Sequence, residues 1–111
     1  MNIFHTDLKN RWHNLSIVEQ MSNIGAEVGR SINWKKKGNK EMSLNAFYRA
    51  LELIDFTISD PLNISRLSEI LRVREFYADY LIGNNQYKFT DESWEKYFLY
   101  FNLCAASSHK M

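Results

Sequence analysis

Apolar side chains recur along this chain at intervals of three and four, the period of a helix face rather than of a strand. Ile17, Met21, Ile24, Val28 and Ile32 fall on one stripe, which predicts a helix ending near Lys37. Ser16 followed by Glu19 supplies a capping box at its start. Leu8, Trp12 and Leu15 lie upstream and either extend the same helix or form a separate turn. A second stripe, Phe47, Ala50, Leu51, Ile54 and Ile58, widened by Ala46 and Leu53, predicts a helix from Lys40 to Ser59. Pro61 disfavours helix at Asp60, and the same Asp60 is suited to cap a third helix in which proline takes the first position. Ile64, Leu67, Leu71, Ala78 and Leu81 form the third stripe, closed by Gly83, Asn84, Asn85 and Gln86, of which glycine and asparagine tolerate the left-handed conformation at a helix end. Thr90 or Asp91 caps a fourth helix, with Asp91 and Glu92 set against the positive end of its dipole. Its face is Trp94, Tyr97, Phe98, Phe101 and Ala105. Four such helices joined by short loops predict an all-α, antiparallel four-helix bundle, one domain over residues 1–111.

Composition fits that picture and removes several classes of activity. With 45% hydrophobic residues, 14% aromatic, four glycines and one proline, the chain has enough apolar surface for one continuous core and few interruptions to its helices. Fourteen Lys and Arg stand against thirteen Asp and Glu, so a net charge of +1 supplies no global field towards nucleic acid or anionic lipid. Any basic patch must be local. A single cysteine, Cys104, excludes an internal disulfide framework and a Cys-rich zinc site, and it suits a reducing compartment. The opening MNIFHTDLKNRW carries charge too early for a secretory signal, and no run of about eighteen apolar residues occurs. A cytoplasmic protein with no membrane partner is expected.

Candidate chemistry is sparse. His5, His13 and His109 form no HExxH or other metal-ligand spacing, and no nucleophile elbow, Walker A or G-x-G-x-x-G pattern occurs, so neither a metal nor a cofactor is predicted. Three patterns remain. Lys35, Lys36 and Lys37 precede Gly38, an order that fits a helix end, where cations oppose the negative dipole and glycine takes the left-handed cap. With Arg30 and Lys40 beside Trp34 the same residues form a candidate nucleic-acid patch, phosphates on the cations and a base on the indole. The helix-end reading is preferred, because Glu27 and Glu41 flank a run that is short for a dedicated footprint. Gly25 and Gly29, one turn apart within a helix, each cost about 1 kcal/mol relative to alanine and so predict a close neighbour, either a helix of the same bundle or another subunit. Arg72, Arg74, Tyr77, Asp79 and Tyr80 bring hydrogen-bonding groups to one helix, as a solvated surface or as a polar groove for phosphate. Trp94, Tyr97, Tyr100 and Phe101 belong to an aromatic run too broad for one stripe, which predicts an outward-facing interface.

Two stretches resemble known families. Trp34, Gly38, Ala50 and a closing Pro61 resemble a single tetratricopeptide unit, which implies helical-hairpin packing. The order from Gly38 through the alanine-punctuated NAFYRALELI to the arginine-containing helix ending near DYLIG resembles HEPN-type bundles. That resemblance implies an all-α, commonly dimeric protein, from a family that includes RNA-cleaving toxins and non-catalytic partners of nucleotidyltransferases. Their catalytic signature is an arginine followed four to six residues later by histidine. Here Arg72 and Arg74 lead to Tyr77 and Tyr80, and tyrosine with a pKa near 10 is a poor general base at neutral pH.

The residues therefore favour a small interaction or adaptor protein, self-associating or accessory to a larger enzyme. The alternatives are an RNA-binding or RNA-cleaving HEPN-like protein and a non-catalytic nucleic-acid accessory protein.

Overall fold

A computed structural model of the chain describes residues 11–108, which form four α-helices and one 3-10 helix with no strand among them. Leu8, His5 and His109 lie outside the described residues. Helix α1 (Ile17–Lys36) begins where Ser16 and Glu19 close their capping box, and Met21, Ile24, Val28 and Ile32 are buried along its stripe. The cap and the turn at 13–15 separate Trp12 from α1: Trp12 is helical, 1% exposed, with its Nε1 donating to Thr57 Oγ1 at 3.0 Å. Lys37 ends α1, and Gly38 takes φ +77°, the conformation that glycine alone adopts without strain. Asn39 then caps α2 (Lys40–Ile58) by accepting from Met42 N, so the chain reverses within three residues. Ala46, Phe47, Ala50, Leu53 and Ile54 are buried along α2, while Leu51 and Ile58 are half-buried at its edge.

The third helix departs from the sequence expectation. Asp60 does act as a cap, accepting from Leu62 N at 3.0 Å, but it opens a 3-10 helix, Pro61–Arg66, and α3 begins only at Leu67 and runs to Ile82. With three residues per turn in place of 3.6, the six 3-10 residues advance the phase of the stripe. Ile64 is 72% exposed and Leu71 47% exposed, and the buried positions are Ile70, Val73, Tyr77 and Tyr80. Asn63 holds the 3-10 geometry from inside, donating to Gln20 Oε1 at 2.8 Å and to Thr57 O at 3.0 Å.

Gly83 ends α3 with φ −98°, so it is not the left-handed residue that its position suggested. Glycine is needed there for proximity, since an added Cβ would lie 2.9 Å from Asp79 O. The positive φ angles fall on Asn85 and Lys88. Asn85 secures the loop by exchanging two hydrogen bonds with the backbone of Phe89. Thr90 caps α4 (Asp91–Ser108) through a reciprocal pair with Ser93.

The helices run alternately up and down. Ser31 meets Ser43 across α1 and α2, Arg74 meets Asp55 across α3 and α2, and Ser22 meets Asn102 across α1 and α4. Helix α1 is the centre of the bundle and packs extensively on both α2 and α4. Against α4 the approach is tightest at Gly25, where an added Cβ would stand 2.8 Å from Phe98 Cβ. The fourth side is looser, because α3 leans on α2 and has little backbone proximity to α4. This asymmetry positions the candidate site.

Candidate functional site

A furrow runs between α3 and α4, bridged by side chains rather than closed by the helices. Two depressions of about 260 and 460 Å³ share Glu69, Ser93 and Tyr97 and so adjoin along the furrow. Its floor is aromatic. Trp94 lies 4.9 Å from Phe89 between ring centroids, Phe89 lies 5.3 Å from Phe76, and Tyr97 meets Trp94 edge-on. Further along, Tyr100 is 59% exposed beside the buried Phe101. The Trp94 indole N–H is buried and has no acceptor among the described residues, an omission that costs ~1–3 kcal/mol.

Polar groups on the groove are unequally occupied. Glu69 accepts from Tyr97 Oη at 2.5 Å and pairs with Arg66 at 3.1 Å. Burial pushes the Glu69 carboxyl up, but the Tyr97 and Arg66 hydrogen bonds and the guanidinium charge together hold it below the usual carboxylate range. Burial raises the Tyr97 phenol, and its bond to the carboxylate adds to the shift. Arg72 and Lys96 make no ion pair among the described residues. The rim therefore carries two uncommitted cations over an aromatic floor.

The other predicted sites are rearranged by the fold. The polar groove on α3 is not assembled. Tyr77 is fully buried between Phe47 and Trp94, with its hydroxyl 2.7 Å from Ser31 Oγ, and Tyr80 is 6% exposed. Burial raises the Tyr77 phenol, which keeps it protonated at neutral pH and unavailable as a general base. Arg74 is spent on a two-pronged bond to Asp55 at 2.8 and 3.3 Å, and Asp79 accepts from Tyr87 N in the following loop. The reason is the phase advance described above, which turns the tyrosines inward and leaves Arg72 outside.

The basic cluster is likewise dispersed. Arg30 pairs with the buried carboxylate of Glu27, which Arg49 also holds at 2.8 Å. Lys36 stands 3.6 Å from both Asp91 and Glu95 on α4, and the Lys37 ammonium lies 5.0 Å above the ring of Trp34. Lys35 and Lys40 remain unpaired by carboxylates among the described residues. Of the two glycines, Gly25 has its close neighbour, a side chain of the same bundle, whereas an added Cβ at Gly29 meets nothing within 4 Å. Of the predicted aromatic interface, Trp94 and Phe101 belong mainly to the core, Tyr97 is half-buried on the groove, and Tyr100 faces outward.

Glu69, Phe76 and Lys96 were not singled out by sequence. Glu69 and Tyr97 are 28 residues apart, and no local pattern pairs them. Among the described residues no group of three or more His, Cys, Asp or Glu is placed to hold a metal ion, and no helix is long and apolar enough to cross a membrane. No protein-family model matches the chain, and neither does any curated protein or solved structure.

Proposed function

We propose that this chain is a protein-interaction module, and that the α3/α4 groove seats an acidic amphipathic helix of a partner. The observation that carries the reading is the open furrow itself. Where α1 packs closely on α2 and on α4, α3 and α4 stand apart and leave the half-buried rings of Phe76, Phe89 and Tyr97 along the furrow. Helix-in-groove recognition works through apolar anchors in such a channel, with charge setting orientation and choice of partner. Arg72 and Lys96 favour carboxylates on the incoming helix, since Glu69 is already satisfied by Arg66 and Tyr97.

The test uses short amphipathic helices of identical apolar face and differing charge. Acidic peptides are expected to bind and alter Trp94 emission. The double variant Arg72→Glu/Lys96→Glu should weaken them roughly tenfold, or ~1.4 kcal/mol, and admit basic peptides instead. Charge-independent binding, or binding unaffected by the double variant, would remove the proposal. Self-association is the second reading, favoured by Leu62 and Leu103 at 84% and 61% exposure on the 3-10 helix and α4. Light scattering of the protein alone decides between them, a stable dimer supporting that reading.

A further inference from the structure

At the opposite end from the 3-10 helix, the α1–α2 turn and the end of α3 line an open cleft of about 530 Å³. Its volume falls within the span of roughly 300–1,000 Å³ that accommodates small-molecule ligands. One wall is apolar, made by Leu44 and Tyr48 of α2 and Leu81 and Ile82 of α3. Tyr48 and Ile82 are 49% and 56% exposed, so much of this wall is open to solvent. Lys35 and Lys40 line the same cleft from either side of the turn. Of the lysines of the SINWKKKGNK stretch, only Lys36 has carboxylate partners among the described residues, Asp91 and Glu95, and of the other three Lys35 and Lys40 line the cleft while Lys37 lies over the Trp34 ring. The Lys35 ammonium is placed by its position 4.6 Å over the Tyr80 ring. Glu41, next in sequence to Lys40, pairs with neither lysine.

We infer that this cleft binds a small amphiphilic anion, with one carboxylate or phosphate between Lys35 and Lys40 and an unbranched apolar body against Leu44, Leu81 and Ile82. The physical reasoning is that two cations and an apolar wall each gain from a different half of such a molecule. Inorganic phosphate would leave the wall wet, and a neutral alcohol would leave the ammonium groups solvated but unpaired. A polyanion such as RNA needs a row of cations, and of this stretch Lys35 and Lys40 alone line the cleft, while Arg30 and Lys36 are ion-paired elsewhere.

Titration of the isotope-labelled protein with decanoate, decyl phosphate, decanol, decyltrimethylammonium and inorganic phosphate, each below micellar concentration, tests the inference. Decanoate or decyl phosphate should bind saturably at one site and shift amides of residues 35–44 and 81–82, and the tighter of the two identifies the head group. Lys35→Gln/Lys40→Gln should weaken the anions about tenfold and leave decanol unchanged, and Ile82→Asp should weaken anion and alcohol alike. All three positions are exposed or half-exposed, so retained helicity by circular dichroism separates loss of binding from loss of fold. Decanol or the cationic amphiphile binding as tightly as decanoate, full affinity in the double lysine variant, shifts confined to the α3/α4 groove, or preferential binding of an RNA oligonucleotide would each overturn it.

Discussion

Glycine 25 and glycine 29 look equivalent in sequence, each inside α1 and each on a turn that faces α4, yet their surroundings differ in kind. A methyl group at position 25 would overlap Phe98, and one at position 29 would enter open space. Gly25→Ala is therefore expected to cost ~1–3 kcal/mol through overpacking, while Gly29→Ala should stabilise by ~0.4–1 kcal/mol by restricting the unfolded chain. Urea denaturation of the two variants side by side checks both signs. The tyrosines teach the same lesson in polar form. Tyr77 is a core residue whose hydroxyl closes on Ser31, while Tyr100 is exposed on α4, and nothing in the local sequence of either announces the difference.

At the scale of elements, the starts of α1, α2 and α4 were legible, whereas α3 starts at Leu67 with no side-chain cap, after the 3-10 helix that Asp60 opens. Ser16, Asn39, Asp60 and Thr90 each hold a backbone amide through a side chain two or three residues away, and such short-range chemistry is written in consecutive letters. The 3-10 helix was not legible, because its geometry is maintained from α1. Gln20, fully buried, donates to Trp12 O at 3.0 Å and Asp60 Oδ2 at 3.2 Å and accepts from Asn63. This residue ties the Trp12 turn, α1 and the 3-10 helix together. Gln20→Leu should destabilise by about 3 kcal/mol, since it strands Trp12 O and part of Asp60 and Asn63 without partners at ~1–3 kcal/mol each. A double-mutant cycle with Asn63→Ala should return a coupling energy of ~0.5–3 kcal/mol, and additive losses would separate the two residues.

For the molecule as a whole, burial of ionisable tyrosines sets an alkaline limit. The Tyr77 and Tyr97 phenols are both raised above the ordinary value of 10.0, chiefly by desolvation. Below that pH both the folded and the unfolded chains keep these protons, so the pair adds no pH dependence there. Above it the unfolded chain ionises first, and stability falls as pH rises. Unfolding by base should therefore coincide with the late part of the tyrosinate absorbance change, and Tyr77→Phe/Tyr97→Phe should flatten the decline of stability above pH 10 relative to the parent. An unchanged slope in that variant would assign the alkaline limit to other groups.

The stripes, caps and breakers of the sequence determined an all-α antiparallel bundle, because helix periodicity and capping depend on residues within a turn or two of each other. Tertiary structure alone decided which aromatic rings were sealed and which lined a channel. It also decided which lysines were consumed by α4 and that α3 would stand apart from α4. Those outcomes depend on contacts between residues distant in sequence, such as Glu69 with Tyr97, Gln20 with Asn63 and Lys36 with Asp91. Their partners come into reach only when four amphipathic faces settle their mutual phase, and a six-residue 3-10 segment is enough to change it.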